Sequence, residues 1–571
     1  MKKSLKIAVL SSFTLLGLPR TLKETANKLG IEPEIYLGQY DQYTQEIFNK
    51  NSGLHRFRPD LIFLFLDTRS ILNEIFFSPY EIDDSERRRV VSEILKRLDE
   101  LVSRAANTGA KIVIHNFEVP DHSPLGILEN KQSFGLVEMV ERLNSDLRDN
   151  YRSSNQVFVF DYNAFVSRLG KKEIGDPKMY YLGDTRIAVK HLPALAGEYL
   201  AYAKPLLALS KKCVVLDLDN TLWGGVLGEE GMGGIKLGPT PEGRPFWEFQ
   251  KHLSALAKRG VILAINSKNN LAEVEEVFAK HPHMVLKKDD FLARRINWQD
   301  KILNMKELAE ELNLGLDSLV FFDDDPTNRE LVKNFLPTVR VIDLPADPVF
   351  YPGILVSVIK EFNVLQLTEE DKKRGLMYLA EKKRRSLKTS TADLRSFLDS
   401  LNLKLKVLSA DELTIPRIAQ LTQKTNQFNL TTRRLTEETV RQMVQARDYL
   451  VKAFQIEDVF GDYGITGVLI VKKSDQDWLV EDFLLSCRIL GKEIEFAVMA
   501  YLINQARRVK VKNIFGRFIP TGKNDPAKNF YKQAGFVEAE RKKNGEIDYV
   551  LSLPHKNYPK PEFIKIINEY E

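Results

Sequence analysis

Residues 213–225 read CVVLDLDNTLWGG. The stretch Val214–Leu218, apolar on both faces up to Asp217, is the pattern of a strand buried on both sides, as in parallel sheets. It ends in Asp217-Leu218-Asp219-Asn220-Thr221. Ligands of parallel sheets sit at the carboxyl ends of the strands, so Asp217 and Asp219 are expected to project together where strand gives way to loop. Two carboxylates there repel each other unless a cation lies between them, and the hard, oxygen-loving choice is magnesium. Further polar groups follow on later elements. The apolar stretch Val261–Ile265 leads into Asn266-Ser267, which offers a hydroxyl. Lys301 opens a predicted helix, Lys301–Leu312, after Asn297-Trp298-Gln299-Asp300. The stretch Ser318–Phe322 leads into Asp323-Asp324-Asp325-Pro326.

This D-x-D-x-T strand end, with the serine, lysine and acidic strand ends in that order, resembles the phosphatases of the haloacid-dehalogenase (HAD) class. The resemblance implies Asp217 as nucleophile and an aspartyl-phosphate intermediate. Asp219 would protonate the leaving oxygen and then activate water. Ser267 and Lys301 would stabilise the transferring group. Asp217, Asp219, Asp323 and Asp324 are the expected magnesium ligands, and Thr221 joins the expected substrate-binding set. The intervening segment, GGVLGEEGMGGIKLGPTPEG, is too short and glycine-rich for a large cap domain. An open site of that kind admits a substrate carried on another protein or domain.

The rest of the chain divides around this unit. With 571 residues the chain is too long for one hydrophobic core. The pattern predicts an α/β multidomain protein with boundaries at 1–208, 209–348, 349–398 and 399–571. The first segment alternates apolar strands (Lys6–Leu10, Leu61–Leu66, Lys111–His115, Val157–Phe160) with helical stretches such as Asp84–Ala106, which predicts a parallel sheet. The second adds strands Cys213–Leu218, Met284–Leu286 and Val339–Ile342. A charged helix, Glu369–Lys388, capped by Thr368 and Asp371, links to the third. There the alternation becomes α+β, with strands Leu403–Leu408, Leu450–Ile456, Gly464–Lys472, Asp477–Leu485 and Asn513–Phe518. Helices are expected at Arg417–Thr425, Glu493–Arg508 and Ala527–Ala534.

Composition excludes several classes. The net charge of +5 is slight for this length and leaves no basic footprint for nucleic acid. The N-terminal run MKKSLKIAVLSSFTLLGL is broken by Ser11, Ser12 and Thr14 and reads as a first strand rather than a signal peptide. No apolar run approaches the ~18 residues of a membrane span. The 2 cysteines give no disulfide framework and suit a cytoplasmic protein. Cys213, about 13 Å up the strand from Asp217 at the usual rise per residue, is expected to be core.

The C-terminal segment resembles GNAT acyltransferases, on Trp478–Leu485 followed by Ser486-Cys487-Arg488-Ile489-Leu490-Gly491-Lys492 and the helix from Glu493. GNAT proteins hold the pyrophosphate of coenzyme A on that loop and helix N-terminus. Arg488 and Gly491 match the family pattern, but Glu493 stands where a small residue belongs, and its carboxylate would repel a pyrophosphate. A phosphopantetheine arm on a carrier protein would suffer less. The run Asn524–Phe536 is similar to the closing GNAT helix, which offers Tyr531 as a proton donor to a leaving thiolate or as a packing residue. The N-terminal segment resembles SGNH hydrolases through Ser11 and Asn116. The spacing of Asp184 and His191 departs from that pattern, so docking is the expected role.

Taken in order, SGNH-like, HAD-type with KKCVVLDLDNTLWGGVLGEEG and FFDDDPTNRE, then GNAT-like with KTNQFNLTTRRLTEE, FGDYGITGV and LLSCRILGKEIE, the chain is similar to the FkbH-like family of polyketide pathways. That resemblance implies a glyceryltransferase/phosphatase. It would take the glyceryl group of 1,3-bisphosphoglycerate, remove its phosphate and deliver it as a thioester to an acyl carrier protein. Cys487 would carry the glyceryl group in transit, with Asn426, Arg433, Arg488, Gly491 and Tyr531 around the acyl site. Transfer of another acyl group in polysaccharide or peptide assembly, or a non-enzymatic carrier-binding scaffold, are the alternatives.

Overall fold

The structure is a computed structural model that describes residues 3–366, 384, 387, 393–553, 558 and 561–568. The expected linker helix Glu369–Lys388 and its Thr368/Asp371 cap lie outside the described residues except for Arg384 and Leu387. The chain separates into two compact units, Met1–Leu207 and Ala208–Glu571.

In the first unit the strands are β1 (Lys3–Ser11), β2 (Ile31–Leu37), β3 (Leu61–Phe65), β4 (Lys111–His115) and β5 (Val157–Phe160). They form one parallel sheet in the order β2-β1-β3-β4-β5. All five residues of β3 are buried, as a central strand covered on both faces requires. The helix Asp84–Ala106 begins where Asp83 accepts from the Glu86 amide (2.9 Å), satisfying a donor that the helix itself leaves free.

The second unit holds two sheets. β6 (Cys213–Leu216), β7 (Ile262–Ser267), β8 (Phe291–Ile296), β9 (Leu319–Asp323) and β10 (Arg340–Asp343) run parallel in the order β10-β9-β6-β7-β8. All four residues of β6 are buried. Burial pushes the Cys213 thiol well up, so this residue is core, as expected. The predicted strand Met284–Leu286 is a loop: the buried Gln250 side chain accepts the amides of Val285 (3.0 Å) and Leu286 (3.2 Å), replacing a ladder partner. The true fifth strand, β8, was hidden by Arg294 and Arg295, which its position at the sheet edge leaves half-exposed.

The C-terminal sheet comprises β11 (Lys404–Ser409), β12 (Phe428–Asn429), β13 (Tyr449–Asp458), β14 (Gly461–Lys473), β15 (Asp477–Leu485), β16 (Asn513–Phe518), β17 (Val537–Arg541), β18 (Ile547–Ser552) and β19 (Lys565–Asn568). Its path is β17-β18-β16-β15-β14-β13-β11-β19, with β12 on β15. Most pairs are antiparallel, but β15 and β16 are parallel and pair only from Asp477/Asn513 to Val480/Gly516. Beyond that point the two strands have no mutual ladder. A register shift in the β14–β15 pairing makes Glu481 the bulged residue. The strand β15, the turn at Cys487–Ile489 and the helix Ile494–Arg508 complete a GNAT-like fold. The expected helix Ala527–Ala534 is reduced to a 3-10 turn, Asp525–Ala527, and a single turn, Phe530–Gln533.

Candidate active site

The phosphatase-type site forms at the carboxyl ends of β6, β7 and β9. β6 pairs with β9 through Leu216 and Phe322, and the Asp217 amide extends the ladder to the Phe322 carbonyl (3.0 Å). That register brings Asp217 alongside Asp323, the last residue of β9. The turn that follows Asp219 is possible because Asn220 takes a left-handed conformation (φ 50°) and its side chain accepts from the Gly225 amide (2.8 Å). Asparagine tolerates that conformation better than most residues.

Lys301 stands between the acids. Its ammonium lies 2.8 Å from Asp217 Oδ2 and 2.6 Å from Asp323 Oδ2, and it is 5% exposed. Burial works to lower its pKa, but the Asp217 and Asp323 carboxylates outweigh it and the net shift is upward. Lys301 is delivered by a helix, Lys301–Glu311, capped by Asp300, which accepts from the amides of Ile302 (2.7 Å) and Leu303 (3.3 Å). Three asparagines lock this helix to β7. Asn266 donates to the Lys301 carbonyl (2.9 Å), and Asn304 donates to both Asn266 (3.2 Å) and Asn297 (2.9 Å).

Asp217, Asp323 and Asp324 offer ligand atoms that all lie within 4.8 Å of one another. Burial, then the charge of Asp217, raises Asp323 and Asp324 to about 6 each. One ammonium among three carboxylates leaves the cluster under-neutralised, and the buried Oδ1 of Asp217 accepts no hydrogen bond. Charge deficit, oxygen-only donors and an orphaned oxygen fit a hard divalent cation. Asp324 is fixed by its amide, which donates to Thr221 Oγ1 (3.1 Å), and Arg329 holds the carbonyls of Asp323 (2.7 Å) and Asp324 (2.6 Å).

Two expectations change, those for Asp219 and Thr221. Asp219 does not join the carboxylate trio. Its Oδ1 accepts from Trp223 Nε1 (2.9 Å) and the Leu227 amide (3.2 Å), and its Oδ2 from Asn269 Nδ2 (2.9 Å). Thr221 is wholly buried and shapes the Asp324 loop instead of facing a substrate. Ser267 ends β7 as expected but is 1% exposed. Sequence reading missed Asn269, Asn304, Trp223 and Arg329. No spacing in the sequence linked the asparagine side chains: Asn266 is on a strand, Asn297 in a loop and Asn304 on a helix.

Among the described residues of the first unit no hydrolytic triad assembles. The Ser11 hydroxyl donates to the Phe13 carbonyl (2.5 Å) and accepts from the Phe13 amide (3.0 Å). Asn116 bridges Asp161 (2.8 Å) and the Asn163 amide (2.9 Å). Asp184 pairs with Tyr40 (2.9 Å) and Arg186 (2.9 Å), and His191 meets the Glu173 carbonyl (2.8 Å).

In the GNAT-like region Tyr531 is 1% exposed, packs on Gly516 and has a buried hydroxyl with no hydrogen-bond partner. Burial pushes its pKa well up. Arg433 pairs with Glu481 and lies 3.9 Å from Asp482, while Asn426 accepts from Arg434. Thus Arg433 buttresses the bulged β15, whereas Asn426 holds the Arg434 side chain. Arg488 lies in the 3-10 turn and its carbonyl accepts from Lys492 (3.1 Å). Gly491 is exposed at φ 75°, where a side chain would be strained. The backbone of Cys487 opens that turn, and its side chain lies outside what the structure describes. Glu493 is the left-handed residue (φ 59°) that precedes the helix Ile494–Arg508. Glu495, in the first turn, has a buried carboxylate oxygen without a partner, and burial raises its pKa.

A doubly covered parallel sheet with this strand order and an Asp–Lys–Asp cluster at its carboxyl edge defines a HAD-type phosphatase domain. Residues 6–201 match the family model described as the FkbH N-terminal domain. The crystal structure of the N-terminal part of the protein BF1531 from Bacteroides fragilis, containing a phosphatase domain complexed with Mg, is 27% identical. The match covers 64% of this chain and 95% of that chain, with a TM-score of 0.59. Through both matches the chain is similar to the FkbH-like family. Two further solved structures match. The ribosomal-protein-S18-alanine N-acetyltransferase of Escherichia coli is 16% identical over 27% of this chain and 96% of its own, TM-score 0.22. Ard1 of Thermoplasma volcanium is 13% identical over 26% and 99%, TM-score 0.22. No curated protein matches. Among the described residues no helix is long and apolar enough to cross a membrane.

Proposed function

We propose that this chain loads the glyceryl group of 1,3-bisphosphoglycerate onto the phosphopantetheine thiol of an acyl carrier protein and removes the remaining phosphate on the way. The reading rests on one conjunction, a phosphatase-type cluster and a GNAT-like sheet in the same chain. Glu493 and Glu495 stand at the helix end where a coenzyme A pyrophosphate would otherwise be held. Acids there satisfy the helix dipole and disfavour a free pyrophosphate. A thioester borne on a carrier protein avoids that repulsion.

In this scheme the Cys487 thiolate attacks the acyl carbon of the substrate. A thioester forms and the acyl phosphate leaves as orthophosphate. Asp217 then attacks phosphorus of the remaining ester in line, the P–O bond to the glyceryl oxygen breaks, and Asp219 supplies that oxygen with a proton. Water hydrolyses the aspartyl phosphate, giving its proton to Asp219. Lys301 holds Asp217 in place and offsets its charge, and Ser267 hydrogen-bonds the phosphoryl oxygens. Magnesium held by Asp217, Asp323 and Asp324 would neutralise phosphoryl charge. Transfer to the carrier thiol releases Cys487. The setting is a cytoplasmic polyketide pathway.

Intact-protein mass spectrometry after incubation with magnesium and freshly generated 1,3-bisphosphoglycerate tests this. The expected result is a glyceryl mass increase, absent in Cys487→Ala and replaced by a phosphoglyceryl increase in Asp217→Asn. Absence of any adduct, with phosphatase activity intact, would rule out this donor.

A further inference from the structure

The carboxylate of Asp219 is gripped by three N–H donors from three different elements. Trp223 belongs to the turn after β6 and is fully buried. Leu227 opens the short helix Leu227–Gly234 of the glycine-rich flap, which is closed by paired hydrogen bonds between Gly224 and Lys236 (3.0 and 2.8 Å). Asn269 lies in the loop after β7 and is 4% exposed. The three distances are 2.9, 3.2 and 2.9 Å. All three groups donate, and none of these nitrogens accepts.

A carboxylate offers about four lone-pair sites, two on each oxygen. Trp223 and Leu227 occupy both sites of Oδ1. Asn269 occupies one site of Oδ2 and leaves one free. We infer that Trp223 and Asn269 are positioning residues that make Oδ2 the atom through which Asp219 exchanges its proton. Asn269 sets the direction of that exchange. This inference rests on the phosphatase reading of the site and adds to it the residues that govern the acid–base step.

The consequence concerns the leaving group. When Asp217 attacks phosphorus and the P–O ester bond breaks, an alkoxide such as the glyceryl oxygen must receive the proton from Asp219 Oδ2. An aryl oxide with a low pKa departs without it. General acid catalysis contributes roughly 10²–10⁴-fold where a proton is needed. A misdirected Asp219 therefore penalises alkyl esters far more than activated aryl esters in the phosphoryl-transfer step.

The test compares single-turnover release of p-nitrophenol from p-nitrophenyl phosphate with release of glycerol from glycerol phosphate, in magnesium, for the full chain and its Asn269→Leu and Trp223→Phe variants. Leucine keeps the approximate shape of asparagine at a buried position and removes the donor. The alkyl-to-aryl rate ratio is expected to fall about tenfold or more in Asn269→Leu, a part of the general-acid contribution. It should fall in the same direction in Trp223→Phe. Equal losses on both esters in both variants would show a purely structural role and overturn the inference while leaving the phosphatase reading standing. An unaltered chain that releases phosphate from neither ester would overturn both.

Discussion

Lys301 is a buried cation whose two partners are themselves buried acids, and its removal would leave Asp217 and Asp323 facing each other without compensation. Breaking a buried pair from one side costs about 3–5 kcal/mol, so Lys301→Met is expected to lower the thermal midpoint and to abolish phosphate release. Calorimetry and a phosphate assay check both. Asp217→Asn removes the nucleophile but leaves the Lys301–Asp323 pair intact. It should lose at least a thousandfold in activity with little change in midpoint. A separate pH effect belongs to Glu118. Burial, aided by Asp67 and Asp121 and opposed by Lys171, raises it from 4.5 to about 7. The folded chain thus holds a proton between pH 4.5 and about 7 that the unfolded chain has released. Stability from this group is therefore full below the lower value and is lost as pH rises through that window. The loss is on the order of 2 kcal/mol after allowance for partial exposure. Glu118→Gln should flatten the pH dependence of amide-exchange protection in β3 and β4, and raise that protection above the parent at pH 8. An unchanged slope would remove Glu118 as its source.

The helix Lys301–Glu311 shows how a local pattern and a tertiary contact divide the work. Its start was legible in Asp300-Lys301, because an aspartate before a helical run is an N-cap signal. The role of Asn304 was not legible, since a mid-helix asparagine normally reads as a solvated side chain. Its meaning depends on Asn266 at the end of β7, 38 residues away in sequence. Asn304→Leu would leave the buried Asn266 carbonyl oxygen unsatisfied, at about 1–3 kcal/mol, and would loosen the seat of Lys301. Activity is expected to fall by more than that stability loss alone explains when measured well below the melting range. A variant as active as the parent would show that the helix N-cap alone positions Lys301. The same logic explains β8. Its two arginines look like loop residues until the sheet order places them on an edge, where Arg295 reaches Glu307 (2.8 Å) and Glu311 (2.6 Å).

For the chain as a whole, cation binding and folding are linked. A ligand that binds the native cluster stabilises it by about RT ln(1 + [L]/Kd). Magnesium at a hundredfold excess over its dissociation constant is therefore expected to add about 2.7 kcal/mol to the phosphatase-type domain. Differential scanning calorimetry with magnesium and with chelator checks this. The difference should shrink in Asp324→Asn, which removes one of the three acids. No shift in the parent would mean that the cluster does not take the ion.

Strand ends carrying Asp217, Ser267 and Asp323, the helix carrying Lys301, the short flap and the α/β character of the first segment all followed from apolar runs and the polar residues that stop them. Those are short-range properties, set by burial periodicity and by the need to solvate or pair a carboxylate. Other features depended on which strands became neighbours. The β6–β9 register brings Asp323 beside Asp217, while the turn, flap and β7 loop together draw Asp219 away into its three-donor cradle. The β15–β16 pair parts after Val480 and Gly516. Such contacts join residues tens to hundreds of positions apart, and their geometry is fixed only when the whole sheet packs.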